Sequence, residues 1–245
     1  MQNVPSGPRH ILIIGATSGI GYTLAQQYLV NGHHVGVTGR RREILNDLEK
    51  RFPGQVSAAP FDVTRPGVTE ELADVVRRMG ALDLFVYNAG CGEPSEVLDT
   101  DAELRKVHTN VTGFTECMCF AFGYFSRQGQ GHIALTSSVA ALRGNSWTPA
   151  YSASKAFMSN YAEGLRIKAR KSGKAIAVTD IRPGFVATKM AKGPGQFWVA
   201  PPEKAARQIR AAIDRKARVA YVTRRWRLVA LLLRCLPYAV YRRIA

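Results

Sequence analysis

The chain of 245 residues has little cysteine, few acidic residues and no long apolar run near its C-terminus. Its four cysteines are scattered, which excludes a disulfide scaffold, and Cys117 and Cys119 have no second pair at ligand spacing. We therefore predict no metal site. The apolar run at 228–233 is far shorter than the roughly 20 residues of a spanning helix, and residues 1–9 lack a signal segment. These absences predict a soluble, cytoplasmic protein.

Positive charge is what the chain has in excess. It has 34 Lys and Arg residues against 18 Asp and Glu, a formal net charge of +16, and 46% of its residues are hydrophobic. This apolar content excludes disorder, because disordered chains lack the apolar surface that offsets the entropy of ordering. The length suffices for a sizeable core. The charge must therefore be explained by a ligand or by a surface.

Short apolar segments alternate with longer amphipathic segments along the chain. The short segments lack polar alternation, as expected of parallel strands that are covered on both faces. We predict seven strands, at 10–14, 35–38, 56–61, 82–87, 132–136, 175–181 and 219–222. Apolar residues at helical spacings predict six helices, at 20–30, 41–51, 67–79, 102–125, 150–171 and 202–216. The pattern indicates one doubly wound α/β domain, a Rossmann fold with a seven-stranded parallel sheet.

A glycine-rich turn follows the first predicted strand. It reads Gly15, Ala16, Thr17, Ser18, Gly19, Ile20, Gly21 and leads into a helix. Backbone N–H groups and the positive end of the helix converge there, and glycines let a pyrophosphate approach. The GxxxGxG spacing differs from the commoner GxGxxG, and such a turn can also be a plain βα connection. Its place after the first strand of a β-α-β-α-β series favours nucleotide binding.

The end of the second predicted strand indicates which nucleotide binds. Arginines occupy positions 40–42, where an acidic residue would hydrogen-bond the ribose of NAD. Cations at a helix N-terminus oppose the helix dipole, and a guanidinium matches phosphate geometry. We therefore predict NADP(H) in preference to NAD(H), with Arg40 and Arg41 at the 2′-phosphate. Asp62 and Val63 follow the third strand and are candidates for adenine binding, although Asp62 could equally cap a turn.

A candidate acid–base pair begins the fifth predicted helix. Tyr151 and Lys155 are four residues apart and share one helical face, and Ser138 ends the fifth predicted strand. A nearby ammonium lowers the pKa of a phenol, so Tyr151 could act as a general acid or base near neutrality. The Ser138 hydroxyl could orient a substrate carbonyl. Alone, a Tyr/Lys pair at this spacing is also common as an exposed helix pair.

In their order and spacing, the motifs resemble the classical short-chain dehydrogenase/reductase family over residues 9–222. Besides the glycine turn, the resemblance rests on Asn88, Ala89, Gly90, Asn110, Ser138, Tyr151, Lys155, Pro183 and Gly184. It implies a catalytic tetrad of Asn110, Ser138, Tyr151 and Lys155. It also implies a cofactor site formed by Gly15, Thr17, Ser18, Gly19, Ile20, Gly21, Arg40, Arg41, Asp62, Val63, Asn88, Ala89, Gly90, Tyr151, Lys155, Pro183, Gly184, Val186 and Thr188.

The resemblance implies hydride transfer between NADP(H) and a carbonyl or secondary alcohol. Tyr151 would protonate the alkoxide, Lys155 would lower its pKa, and Ser138 would hold the substrate oxygen. The segments 91–97, 139–147 and 189–198 would surround a lipophilic small-molecule substrate, with 189–200 as a candidate lid. The family also implies a homodimer formed through the two long helices. A cofactor-sensing or membrane-scaffold protein without catalysis, on the same fold, is the alternative.

The C-terminal residues form a separate feature. From Arg218 onward the chain has seven arginines and no acidic residue. We divide the chain into an NADP-binding domain, 9–223, and a basic amphipathic extension, 224–245. The extension could lie on the anionic inner face of a membrane, with Trp226, Leu232, Leu233 and Leu236 in the acyl boundary. It could also pack on protein with its arginines in water. We predict no nucleic-acid binding, because no recognised module is present.

Overall fold

The computed structural model describes residues 7–94, 97–190 and 196–243. Seven parallel strands form one sheet, which confirms the predicted fold class. They are β1 His10–Ile14, β2 His34–Gly39, β3 Val56–Pro60, β4 Leu84–Tyr87, β5 Gln130–Thr136, β6 Ala175–Pro183 and β7 Val219–Val222. The strand order is β3-β2-β1-β4-β5-β6-β7. The order reverses direction between β1 and β4, which is where open α/β sheets bind their ligands.

Helices cover both faces of this sheet. They are α1 Gly19–Val30, α2 Arg42–Arg51, α3 Val68–Met79, α4 Thr100–Val107, α5 Gly113–Gln128, α6 Pro149–Lys171, α7 Pro202–Asp214, α8 Trp226–Cys235 and α9 Tyr238–Tyr241. Two apolar clusters result, one beneath α1, α2 and α7 and the other beneath α3, α5 and α6. Strand β1 supplies both: Ile11 and Ile13 face one cluster, and Leu12 and Ile14 face the other. This two-sided burial explains why the strands lack polar alternation.

The predicted helix at 102–125 is not one α-helix. A π-helical turn, His108–Thr112, separates α4 from α5 and contains the fully buried Asn110. At the start of α5, a Cβ on Gly113 would lie 2.3 Å from the carbonyl oxygen of Val63, so only glycine allows this close approach. Apolar periodicity did not reveal the break, because α4 buries only Lys106 and so contributes little to the apolar pattern.

The C-terminal extension begins inside the core. Trp226 is only 4% exposed, and its ring packs at centroid distances of 5.4 Å from Phe185 and 5.0 Å from Phe197. The prediction that Trp226 dips into a bilayer is therefore wrong, because the side chain already lies in protein. Helix α8 follows, and Pro237 separates it from α9, as expected of a proline break. None of the helices within the three described ranges is long and apolar enough to span a membrane.

Candidate active site

The glycine-rich turn forms a tight cradle between β1 and α1. Gly15 and Gly19 have φ angles of 84° and 53°, which favour glycine, and a Cβ on Gly21 would lie 2.2 Å from the Gly15 carbonyl oxygen. The turn is held to β2, since the Thr38 carbonyl accepts hydrogen bonds from Gly15 N and from the next amide. Ser18 caps α1 by position, yet among the described residues its side chain makes no capping hydrogen bond. The first turn of α1 therefore retains donors for an anion.

Residues 88–90 connect this cradle to the predicted catalytic group. Asn88 donates from its backbone to the Ile14 carbonyl (2.9 Å) and from Nδ2 to the Gly15 carbonyl (3.2 Å). A Cβ on Gly15 would lie 2.7 Å from the Cα of Ala89. A Cβ on Gly90 would lie 3.2 Å from both Asn110 Oδ1 and Lys155 Nζ. Asn88 thus steadies the sheet, and the small residues after it bring the two halves of the site together.

The arginines after β2 occupy different positions. Arg41 donates from Nε and Nη2 to the Thr17 hydroxyl, at 3.2 and 2.9 Å, so its guanidinium lies against the glycine-rich turn. The Arg40 side chain is 80% exposed and has its Nη1 at 3.9 Å from Asp62 Oδ2. Asp62 Oδ1 accepts hydrogen bonds from the backbone and hydroxyl of Thr64, so the turn-capping interpretation of Asp62 is correct. Its Oδ2 still faces Arg40 at the mouth of the cradle.

Ser138 and Tyr151 form the centre of the site. Ser138 Oγ accepts a hydrogen bond from Ala140 N at 3.1 Å, which fixes its position beside Tyr151. Burial raises the pKa of Tyr151, and the neighbouring Ser138 hydroxyl only partly opposes this effect. A Cβ on Gly92 would lie 2.2 Å from Cδ2 of Tyr151, so the ring packs directly on this glycine. We did not predict Gly92, since a lone glycine in a loop carries no specific signal.

Lys155 is buried beneath Tyr151. Its Nζ donates to the Thr136 carbonyl at 2.9 Å and lies 5.7 Å from the centroid of the Tyr151 ring. Desolvation lowers the pKa of Lys155 to about 8, although Cys91 and Asp180 act in the opposite direction. Burial raises the pKa of Tyr151 in this arrangement, and the lowering of that pKa by Lys155 stays a prediction.

Asn110 is held by hydrogen bonds at both ends of its amide. Its Nδ2 donates to the Cys91 carbonyl at 2.8 Å and to Ser154 Oγ at 3.0 Å, and its Oδ1 accepts from Cys91 N at 3.1 Å. Ser154 Oγ in turn donates to the Tyr151 carbonyl at 2.8 Å. Sequence reasoning missed Ser154 and Cys91; the only available signal for Ser154 was its place between Tyr151 and Lys155.

The segment after β6 closes the other side of the cradle. A Cβ on Gly19 would lie 2.9 Å from the Thr188 methyl group, and a cleft of about 600 Å³ opens between Ser18, Gly19 and Thr188. Val186 points into the core, and its backbone pairs with that of Ala200. The segments predicted to bind substrate, 91–97 and 189–198, include residues 95–96 and 191–195, which lie outside the described residues. The same holds for the middle of the predicted lid.

Pro183 and Gly184 connect the cradle to the extension. Gly184 N donates to the Val222 carbonyl at 2.7 Å. A Cβ on Gly184 would lie 1.9 Å from the indole of Trp226, so glycine is required at this position. The Pro183 carbonyl lies 3.5 Å from Ser138 Oγ. The turn between β6 and the cradle is therefore shaped from both sides, by the candidate catalytic serine and by the extension.

The glycine-rich cradle at the sheet's switch point lies beside the half-buried Tyr151 and Ser138 and the buried Lys155. A cradle in this place is typical of dinucleotide-binding α/β proteins. A family model described as short chain dehydrogenase matches residues 9–196. The chain belongs to the classical short-chain dehydrogenase/reductase family, a family of oxidoreductases.

Individual relatives agree with this assignment. An uncharacterized oxidoreductase of Myxococcus xanthus is 35% identical over 188 residues, covering 74% of both chains. The NADP-dependent 3-hydroxy acid dehydrogenase YdfG of Salmonella typhi is 32% identical over 184 residues, covering 72% of each. A crystal structure of a short-chain dehydrogenase from Streptomyces avermitilis, 25% identical, covers 97% of this chain and 95% of its own, with a TM-score of 0.81.

Proposed function

We propose that the protein is an NADP(H)-dependent oxidoreductase that interconverts a carbonyl group and a secondary alcohol on a lipophilic small molecule. One observation carries the proposal: Tyr151 lies beside Ser138, and its ring centroid is 5.7 Å from the ammonium of the buried Lys155. An isolated surface Tyr/Lys pair would have neither the serine nor the burial. The full tetrad also disfavours a cofactor sensor, because a sensor has no need of an acid–base group.

The residues present fit a phosphorylated dinucleotide. The backbone requires glycine at positions 15, 19 and 21. These residues therefore place no side chain of their own over the N–H groups at the start of α1. Arg41 adds a guanidinium fork at the turn, as a 2′-phosphate requires. The Salmonella relative is described as NADP-dependent. We propose that Ser18 and the first turn of α1 hold the pyrophosphate, with Arg41 and Arg40 at the 2′-phosphate. The cofactor, when bound, supplies or accepts the hydride.

Residues of the protein donate the proton to the substrate oxygen and position that oxygen. Because burial raises the pKa of Tyr151, its hydroxyl is protonated at neutral pH and can donate a proton to a carbonyl oxygen. Ser138 is fixed by Ala140 N, so its hydroxyl can hold the same oxygen and stabilise developing negative charge. Asn110 and Ser154 tie the π-helical turn to the backbone of Tyr151 and so position it. The protonated tyrosine is the form that the reduction of a carbonyl requires.

We also propose that the protein is a homodimer through α5 and α6. Phe157 and Ile167 lie on α6 and are exposed apolar side chains. Phe157 continues an aromatic group with Phe114 and Tyr161, so an apolar strip reaches from the core to the surface. A strip of this kind on paired long helices suits a self-complementary two-fold interface. Size-exclusion chromatography with light scattering measures the state directly.

The variant Tyr151→Phe tests the enzymatic proposal. It removes the proton donor but keeps the ring that packs on Gly92, so NADPH binding should be unchanged. We expect NADPH oxidation with a panel of ketones and aldehydes to fall on the order of 100- to 10,000-fold. Tyr124→Phe, on α5 and away from the tetrad, is the control and should retain activity. Normal turnover by Tyr151→Phe would refute the assignment of the proton donor. NADPH binding without turnover by the unmodified protein would favour the sensor.

A further inference from the structure

Helix α8 is apolar on two opposite faces. Trp226 and Ala230 face the domain and are buried. Leu228, Leu231 and Leu232 lie roughly half a turn away around the axis and are 67%, 62% and 59% exposed. A helix that packs on a domain normally presents polar residues to water on its other face. We call these three leucines the outer face of α8.

Exposed arginines flank the outer face in the sequence. The six that lie in or beside α8 and α9 are all exposed: Arg224, Arg225, Arg227, Arg234, Arg242 and Arg243. Residues 215–243 contain no acidic residue that could neutralise them. Two aromatic side chains border the same region: Tyr238, in α9, is exposed, and Trp198 lies under the guanidinium of Arg225 at 4.9 Å. Leucines, interfacial aromatics and charge of one sign therefore share one surface.

The outer face is held rigidly on the domain. Arg143, in the loop before α6, donates from Nη1 to the carbonyls of Leu233 and Leu236, at 3.2 and 3.0 Å. The same guanidinium lies 4.5 Å from the Tyr241 ring centroid. These bonds satisfy carbonyls at the end of α8, and Trp226 anchors its beginning. The leucines are thus presented from a fixed helix, so binding through them requires no ordering of the chain.

The positive charge around the outer face favours an anionic bilayer over a second copy of the chain as its partner. A second copy of the chain would meet the outer face through a two-fold axis, which sets the same patch against itself. That geometry would bring arginines against arginines with no nearby acidic residue, and like charges at an interface are unfavourable. An anionic bilayer instead offers phosphate groups to the arginines and acyl chains to the leucines.

We propose that the outer face of α8 docks on a phospholipid surface rich in anionic headgroups. The three leucines enter the boundary between headgroups and acyl chains, the arginines contact lipid phosphates, and Tyr238 lies at headgroup level. Trp226 takes no part in lipid contact, because it anchors the helix from the protein side. Docking is peripheral and depends on leucines and arginines together. It is independent of the proposed enzymatic activity.

Vesicle flotation of the full chain tests this proposal. The probe is a vesicle of equal parts phosphatidylcholine and phosphatidylglycerol, compared with phosphatidylcholine alone. We expect binding to the anionic vesicles only, and weaker binding as salt is raised. Replacing Leu228, Leu231 and Leu232 together by Ser should weaken binding at least about tenfold. Because these side chains are exposed, the fold should persist, which NADPH binding or the melting temperature checks.

Matched variants separate the outer face from the general positive charge. Replacing Arg224, Arg227 and Arg234 by Gln should weaken vesicle binding on the order of 100-fold, about fivefold for each arginine. Replacing Lys168, Arg170 and Lys171 by Gln removes the same charge from the end of α6 and should have little effect. The pair Val30→Ser and Leu98→Ser controls for loss of exposed apolar residues elsewhere.

Three results would overturn the proposal. The first is no binding of the full chain to anionic vesicles. The second is equal weakening by the α8 and α6 charge variants, which would show nonspecific adsorption by the net charge of +16. The third is a leucine variant that binds vesicles normally but loses self-association in light scattering, which would show that a second copy covers the outer face.

Discussion

Replacing Lys155 by Met should make the cofactor-free protein more stable near neutral pH while abolishing its proposed activity. Burial lowers the pKa of Lys155 from its ordinary value of 10.5 to about 8. The folded state therefore holds the charged form less well than the unfolded state does. That difference corresponds to about 3 kcal/mol of unfolding free energy at neutral pH. Met has similar length and no charge to desolvate, so the variant avoids this cost.

The net gain is smaller than the desolvation cost. Lys155 Nζ donates to the Thr136 carbonyl, and losing that donor costs about 1 to 2 kcal/mol. We therefore expect Lys155→Met to raise the unfolding free energy by about 1 to 2 kcal/mol near pH 7. Between pH 8 and 10.5 the unfolded state binds more protons, so the unmodified protein gains stability as pH rises. The advantage of the variant should shrink to near zero at about pH 9.5.

Urea unfolding at the two pH values, without cofactor, measures both effects. Lys106→Met is the contrasting control, because Lys106 is also buried but forms an ion pair with Glu103. Glu103 further accepts a hydrogen bond from Ala150 N, and its pKa is lowered by the Lys106 hydrogen bond. Removing Lys106 leaves that carboxylate unpaired and should destabilise the fold by about 1 to 3 kcal/mol. A less stable Lys155→Met protein near pH 7, or a gain that does not vary with pH, would refute the reasoning.

Two further predictions concern the cofactor turn and the extension. Arg41→Ala should reduce the preference for NADPH over NADH, measured as kcat/KM, on the order of 10- to 100-fold. Arg42→Ala, one residue further along, should leave this preference unchanged. Equal effects of the two variants would contradict the role given to the Arg41 guanidinium. Trp226→Ala should lower the unfolding free energy by about 3 to 5 kcal/mol in urea titrations, because the substitution empties the space between Phe185 and Gly184. A decrease below about 1 kcal/mol would contradict the burial of the Trp226 side chain.

The sheet could be predicted because its strands are buried on both faces. Most of the strands contain a short apolar segment that can be recognised without its partner, and the glycine turn fixes where the series begins. The boundaries agree with the structure at β1 and β7 and differ by one or two residues at the other strands. The apolar segments and the glycine turn are local in the sequence, and they could therefore be predicted from it.

The features that escaped prediction depend on contacts between distant segments. Asn110 stands in the predicted tetrad, but its hydrogen bonds to Cys91 and Ser154, which join three separate segments, could not be predicted. The pKa of Tyr151 followed burial, which sequence spacing does not report. Spacing placed Tyr151 and Lys155 on one face but could not show that Nζ would donate to a carbonyl of β5.

Trp226 shows how a distant contact changes the meaning of a local motif. As sequence, Pro183 and Gly184 suggest a turn at the cofactor, and Trp226 suggests an interfacial helix. In the structure they are one unit, because the indole occupies the space that any side chain at 184 would need. A division of the chain after residue 223 would remove the indole from Phe185 and Phe197, whose rings lie against it. The extension therefore supports the segment that closes the cradle. If its outer face binds lipid, the cradle is held at a fixed orientation to that surface, since α8 is bound to the domain at both ends.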